Sequence, residues 1–390
     1  MLTGIRIIDF SKYLPGPYAT MRLADKGAEV IVIEPMEGEP SRHLGIKQGD
    51  TSLLYLANNR NKKSIAINLK EAEGQKLALE LIKIADVVVE SFRPGVMKRL
   101  GLDYETVKKV KEDIIYCSIS GYGQQGEMSN LGSHDLNYLA ISGVLAQLKD
   151  DQGKPILPSV QLADHIGAFN CTEEILAALL KRSNTKTGSY IDLSLVDPLV
   201  SIMGTNYVHY HEANQSCGVP QLTGGLFCYS IYETKDGRYV ALAALEVKFW
   251  RNFCAAIGKL DWLPMHGVTK KESAAFLEEI TLLFKSKPLH EWALLAGKTD
   301  CCLTPILEVG ELDQFPFLKD RQLISREKTP TASVATYFSQ DLKKVNVPPQ
   351  FAGNTETILQ SLLGYSAAEI ERLSQEKILK CEDESPKSSC

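Results

Sequence analysis

Two places in the chain concentrate side chains that move protons. In Gly132-Ser-His134-Asp135-Leu-Asn137-Tyr138 an imidazole, a carboxylate, an amide and a phenol fall within five positions. They follow directly on the glycine-rich run Gly121-Tyr-Gly123-Gln-Gln-Gly126. Further on, Asp164 comes after the strand-like approach Val160-Gln-Leu-Ala163 and before His165-Ile-Gly167, where a helix begins. Both places also suit a purely structural role. Leu136, Leu139, Ala140 and Ile141 point to a buried helix with His134 and Asp135 in its first turn, where the helix dipole favours negative charge. A carboxylate at a helix start, as at Asp164, commonly serves as an N-cap. The residue types alone leave capping and catalysis open at both places.

Other chemistry is less well supported. The run at 121–126 matches G-x-G-x-x-G after a predicted strand, but Glu127 to Gly132 continue as loop instead of opening a helix onto a pyrophosphate. No acidic strand end follows about 20 residues later, so no nicotinamide or flavin site is expected. There is no G-x-S-x-G elbow, Walker A loop or H-E-x-x-H. His209-Tyr-His211 makes a possible metal pair on a strand, but it lacks an evident third ligand. The 9 cysteines have no C-x-x-C spacing, as expected of reduced thiols and not of a metal site or disulfide framework. The net charge of -5 gives no overall attraction to nucleic acid or an anionic membrane. No apolar run reaches the roughly 18 residues of a membrane span. Met1-Leu-Thr-Gly4 leads straight into a strand, so no signal peptide is expected and the cytoplasm is the expected compartment.

The elements that must position these residues read as α/β. Residues 5–10, 29–33, 64–68, 86–90, 114–119 and 190–195 are strand-like. Helices are expected at 18–26 (stopped by Gly27), 71–84, 104–111 and from about Asp164 to Arg182. Repeated strand–helix–strand units imply a doubly wound parallel sheet. From about 225 the texture changes to a hairpin, 226–233 and 238–245 around Thr234-Lys-Asp-Gly237, followed by helices near 247–257, 270–286 and 288–296. Ser366-Ala-Ala-Glu369 forms a capping box for a last helix, and the tail from Cys381 reads as polar and frayed. With 390 residues, more than one core is expected.

The order of several motifs carries a resemblance. Gly4-Ile-Arg-Ile-Ile-Asp9, Pro15-Gly-Pro17 and Leu23-Ala-Asp25-Lys-Gly27-Ala-Glu29-Val-Ile-Val-Ile-Glu34-Pro35 open the chain. Asn59-Arg-Asn-Lys62-Lys63-Ser64, Glu90-Ser-Phe-Arg93-Pro94-Gly95-Val96, Arg99-Leu-Gly101, Ser120-Gly-Tyr-Gly123-Gln, Gly188-Ser-Tyr-Ile-Asp192 and Asp236-Gly-Arg-Tyr-Val240 continue it. Over roughly residues 1–330 the chain resembles the class III CoA-transferase superfamily (CaiB/BaiF type), and within it the α-methylacyl-CoA racemase branch. The resemblance implies a Rossmann-like large domain at 1–195 completed by 325–380, and a small α+β domain at 225–315. Linkers at 196–224 and 316–324 would join them, and two chains would interlock as a homodimer.

It also implies roles. Asp164 falls at the catalytic aspartate, which is the nucleophile in transferases and an acid/base in racemases. The racemases pair it with the histidine of a His-Asp-x-Asn-Tyr segment, present here at His134 and at a fitting separation of 30 residues. Glu246 falls where a glutamate orients that histidine, and Tyr138 and Tyr229 fall near the reacting end of the substrate. Ile67, Leu69, Lys70, Arg93 and Arg99 match the CoA-binding stretches, and Lys62 and Lys63 add positive charge. Racemases carry Gly-Gly-Ala-Pro where this chain has Gly224-Gly-Leu-Phe227. The expected activity is epimerisation of 2-methylacyl-CoA, a lipid-metabolic isomerase reaction through an enolate. Backbone N–H groups near Asp164 would hold the oxyanion, and no metal or other cofactor is expected beyond the CoA of the substrate. The alternatives are a CoA-transferase passing through an Asp164 acyl anhydride and aspartyl-CoA, and an acyl-CoA binding protein without turnover.

Overall fold

The computed structural model describes residues 1–150, 152–325, 333–334 and 346–381; the tail beyond Cys381 lies outside the described residues. The chain divides into two compact units, Met1–Met203 with Ser325–Cys390, and Gly204–Ile324.

The first unit is built on a seven-stranded sheet. Runs such as Val87-Val-Val89 and Val30-Ile-Val-Ile33 are apolar at every position because both faces of a parallel sheet are covered. Ile8, Ile31, Ile65, Val88 and Tyr116 pack into one core. Ile7, Val30, Val87, Val89, Ile115 and Cys117 pack into the other. Across the sheet the parallel strands are Lys62–Ile67, Glu29–Glu34, Arg6–Asp9, Val87–Glu90, Ile115–Ser120 and Ser189–Ser194. Numbered along the chain this is the order 3-2-1-4-5-6, the doubly wound arrangement whose crevice opens at the carboxyl ends of the strands. Leu379–Lys380 adds an antiparallel edge beside Lys62–Ile67.

Several boundaries differ from the sequence expectation, each for a local reason. The first helix is Pro15–Ala24, earlier than expected, because prolines tolerate a first helical turn where no N–H partner is needed. The long helix is Leu162–Thr185, so Asp164 lies inside its first turn and is not its N-cap. His209 and His211 lie in the helix Gly204–Ala213, not on a strand. At i and i+2 of a helix they do not face one another, and His211 rests against Tyr207 at 4.4 Å between ring centroids. Among the described residues no cluster of three or more potential metal ligands occurs, and no helix is long and apolar enough to cross a membrane.

The second unit has a three-stranded antiparallel sheet, Leu303–Pro305, Tyr239–Ala243 and Tyr229–Glu233 in order. Its core is aromatic, with Trp250, Phe253, Phe284 and Trp292 wholly buried. Phe227 is buried there too and meets Phe276 edge-on at 4.7 Å.

Lys62 does not add surface charge. Its ammonium is buried against Asp9 at 3.3 Å and donates to the Pro17 carbonyl and the Asn59 amide oxygen, both at 2.8 Å. Lys63 is paired with Glu29 at 2.6 Å. Removing one partner of a buried pair strands the other charge, at a cost of about 3–5 kcal/mol. Lys62→Ala is therefore expected to lower the urea unfolding free energy by an amount in that range. Combining Lys62→Met with Asp9→Asn is expected to recover most of it, and additive losses would contradict the coupling.

Candidate active site

The helix Asp135–Ile141 begins where the glycine-rich loop ends. His134 is its N-cap, and the His134 N–H donates to the Asn137 side-chain oxygen at 3.0 Å. The side chains of this short helix divide differently from expectation. Tyr138 and Leu139 are buried, while Leu136 and Ile141 are 44% and 52% exposed. A helix of seven residues presents only one narrow face to the core, and here that face belongs to Tyr138 and Leu139.

Tyr138 is held by close approach. Ser133 donates its hydroxyl to the Tyr138 phenol oxygen at 2.9 Å, and Tyr122 packs edge-on to the Tyr138 ring at 5.7 Å. A Cβ at position 121 would stand 2.7 Å from the Tyr138 ring and its oxygen, so Gly121 is the residue that lets the phenol reach this place. Burial raises the Tyr138 phenol above its ordinary value, opposed by the Ser133 hydrogen bond.

Asp164 joins this segment through its backbone. The Asp164 N–H donates to Asp135 Oδ1 at 3.0 Å, so a carboxylate from another helix takes over the capping that Gln161, the local N-cap residue, does not perform. Gly167 lets the same helix settle on the sheet, since a Cβ there would meet the Leu195 side chain at 2.3 Å. The Asp164 carboxylate itself receives no hydrogen bond among the described residues. Burial first, and then the charge of Asp135, push it up to about 7. A carboxyl group poised near neutral pH is suited to both giving and taking a proton. The Asp164 N–H is already engaged, which removes it as an oxyanion donor. The N–H groups of Leu162 and Ala163, ahead of it in the same turn, have no partner among the described residues.

The remaining expected residues are dispersed. Arg93 and Arg99 are exposed and make no ion pair among the described residues. The Arg93 guanidinium lies 3.4 Å from where a Gly132 Cβ would stand, next to the Ser133-His134 turn. Ile67 is wholly buried and pairs in the sheet with Leu379; Leu69 packs at the edge of the same core, and Lys70 is exposed. Glu246 and Tyr229 belong to the second unit. Glu246 is an exposed N-cap residue of Val247–Ala256 that makes no side-chain cap, and Tyr229 opens the strand Tyr229–Glu233. Sequence reasoning passed over Gly121 and Gly167, whose only signal was the absence of a side chain at a loop and a helix start.

This architecture is shared with known proteins. A CaiB/BaiF family protein from Brucella suis has the same fold, with TM-score 0.81 at 23% identity over 92% of this chain and 98% of that one. The family model for CoA-transferase family III matches residues 2–361, and the chain belongs to that family. Among its relatives are a succinyl-CoA:glutarate CoA-transferase from Mus musculus, 31% identical over 95% of this chain and 88% of the relative. Another is an α-methylacyl-CoA racemase from Homo sapiens, 31% identical over 97% of each chain. The protein is thus an enzyme of a family whose members are named for both reactions.

The raised Asp164 carboxyl has a consequence for stability. Unfolded, an aspartate titrates near about 3.9. Between that value and 7 the native state keeps a proton that the unfolded chain has lost, so stability falls as pH rises through this window, by up to about 1.4 kcal/mol per pH unit. Asp164→Asn is expected to flatten this fall. In thermal unfolding at pH 5 and pH 8, the substituted protein should gain relative to the native one at pH 8. Equal differences at both pH values would contradict the raised carboxyl.

Proposed function

We propose that this enzyme epimerises 2-methylacyl-CoA thioesters by 1,1-proton transfer, with His134 and Asp164 as the acid/base pair. Inversion at the carbon beside a thioester requires one group to take the proton and another, on the opposite face, to return one; a single group can only replace the proton where it was. A neutral imidazole and a carboxylic acid meet this requirement, with their roles exchanged for the other enantiomer. The observation that carries the reading is the Asp164 carboxyl, which accepts no hydrogen bond among the described residues and is pushed up to about 7 by burial and the charge of Asp135, on a helix tied by Asp135 to the turn that bears His134.

The thioester acidifies its own α-proton, so the reaction needs proton transfer and oxyanion stabilisation but no redox cofactor or metal. The open N–H groups of Leu162 and Ala163 are the donors assigned to the enolate oxygen. Arg93 and Arg99 are assigned to the CoA phosphates, where a guanidinium can bind two oxygens at once. No step is assigned to Glu246 or Tyr229.

The test is incubation with 2-methylacyl-CoA in heavy water. Deuterium should enter at C2 with inversion, and His134→Ala and Asp164→Ala should each slow inversion by about 100-fold or more. If no exchange occurs and label from a free carboxylic acid appears in CoA ester, the transferase reaction with Asp164 as nucleophile replaces this reading.

The active form is assigned as an interlocked homodimer in the cytoplasm. Supporting this, the first unit leaves Leu131, Leu136, Ile141, Ile156, Leu157 and Val160 exposed within one stretch of chain, an apolar concentration that usually marks an interface. Light scattering should give twice the chain mass of 43.1 kDa, and tagged and untagged dimers should not exchange subunits without unfolding. A monomer would refute the assembly.

A further inference from the structure

Glu90 takes no part in the proton transfer above, yet it is a carboxyl group buried at the crevice end of the sheet, only 3% exposed. It is the first of three polar groups at this level: in the parallel register Glu90 stands opposite Ser118, and Ser118 opposite Asp192. Residues paired across parallel strands project to the same face, which makes a row of carboxylate, hydroxyl and carboxylate. Glu90 fastens the loop that leaves its own strand, and Asp192 the loop that leaves the neighbouring one. Glu90 accepts the Phe92 N–H at 2.7 Å, at the start of the turn that carries Arg93, and the Ser118 hydroxyl donates to it as well. Asp192 accepts the Gln124 N–H at 2.9 Å, within the glycine-rich loop.

The Arg93 turn is secured from a third side. The Lys12 N–H donates to the Ser91 hydroxyl at 2.9 Å, and the Lys12 ammonium lies 4.4 Å from the centre of the Phe92 ring. The other titratable groups that interact with Glu90 are Tyr116, Cys117 and Tyr190, all of which are neutral near pH 7 in ordinary surroundings. Burial, reinforced by the charge of Asp192, raises the Glu90 carboxyl to about 7.

We propose that Glu90 is a positioning residue that takes up a proton when the Arg93 turn receives the phosphates of CoA. The inference rests on the assignment of Arg93 to those phosphates. Bringing phosphate charge above the turn disfavours a second anion beneath it, so binding converts the Glu90 carboxylate and one solvent proton to the neutral acid. No other bond is made or broken. The neutral acid keeps an oxygen for the Phe92 N–H and loses the repulsion toward Asp192 and the ligand.

The experiment is titration calorimetry with free coenzyme A, from pH 6 to pH 8, in two buffers of different ionisation enthalpy. The native protein should take up a fraction of a proton near pH 7, beyond what the ligand's own phosphates contribute, and Glu90→Gln should lose that fraction. The two proteins should bind alike at pH 6. At pH 8 the substituted protein should bind about 5-fold tighter, the effect of removing one like charge from beneath the phosphates in a partly screened setting. Asp192→Asn, which keeps the acceptor for Gln124, should move the proton uptake to lower pH. It serves as the test if Glu90→Gln does not fold. Arg93→Ala should weaken binding at every pH. Unchanged binding by Arg93→Ala would overturn the placement of CoA, and the proposal with it. Normal dependence on Arg93 with undiminished proton uptake in Glu90→Gln would overturn the proposal alone.

Discussion

The hydrogen bond from the Asp164 N–H to Asp135 Oδ1 at 3.0 Å is the contact on which the arrangement of the site depends. A helix start must satisfy its first N–H groups, and a nearby side chain usually does so. Were Asp164 the cap of its own helix, its carboxylate would be held by backbone N–H groups, which lower a carboxyl pKa. Because Asp135 performs that service from another helix, the Asp164 carboxylate is released into a partly buried place where no donor reaches it among the described residues. Burial is the larger cause of its rise to about 7, and the capping carboxylate adds to it as the charge that repels it. Asp135 thus holds the Asp164 backbone in place and adds to the rise that burial produces.

That contact exists only because the sheet brings distant segments together. The 3-2-1-4-5-6 order puts the ends of Val87–Glu90, Ile115–Ser120 and Ser189–Ser194 side by side. The loops bearing Arg93, the glycine-rich run and the helix of Asp164 leave from this edge or pack against it. Glycines set how closely they approach. Gly188 enters its strand with the Ile114 carbonyl 2.2 Å from where a Cβ would be, so any side chain there would force the last strand away from its neighbour. Gly121 and Gly167 do the same for Tyr138 and for the long helix.

Much of this was legible in the sequence. Unbroken β-branched runs identify strands covered on both faces, and the Ser366–Glu369 box marks a helix start where the structure has it. What escaped reading were properties that depend on a partner far along the chain. Lys62 looks like surface charge until Asp9 is found beside it, 53 residues away in sequence. Asp164 looks like a cap because the true capping carboxylate lies 29 residues upstream. Leu136 and Ile141 look like core because apolar content does not say how many faces of a short helix find a neighbour.

The distribution of basic residues gives the strongest physical reason to look for an anionic ligand at the crevice. On an acidic chain most arginines of the first unit are engaged with carboxylates among the described residues; Arg22 lies instead over the Phe169 ring. Arg6 is paired with Glu29, Arg42 with Glu34, Arg60 with Asp25 and Arg182 with Asp86, each at 2.7 Å or less. Arginine left without a carboxylate beside so many acidic groups is not explained by folding, because an exposed guanidinium contributes little to stability unless it is paired. Arg93 and Arg99 are in that position, and they flank the left-handed Gly95 that turns the chain at the end of the fourth strand. Among the described residues these two guanidiniums stand unpaired beyond the carboxyl end of the fourth strand, the place where an anion from outside the chain would meet them.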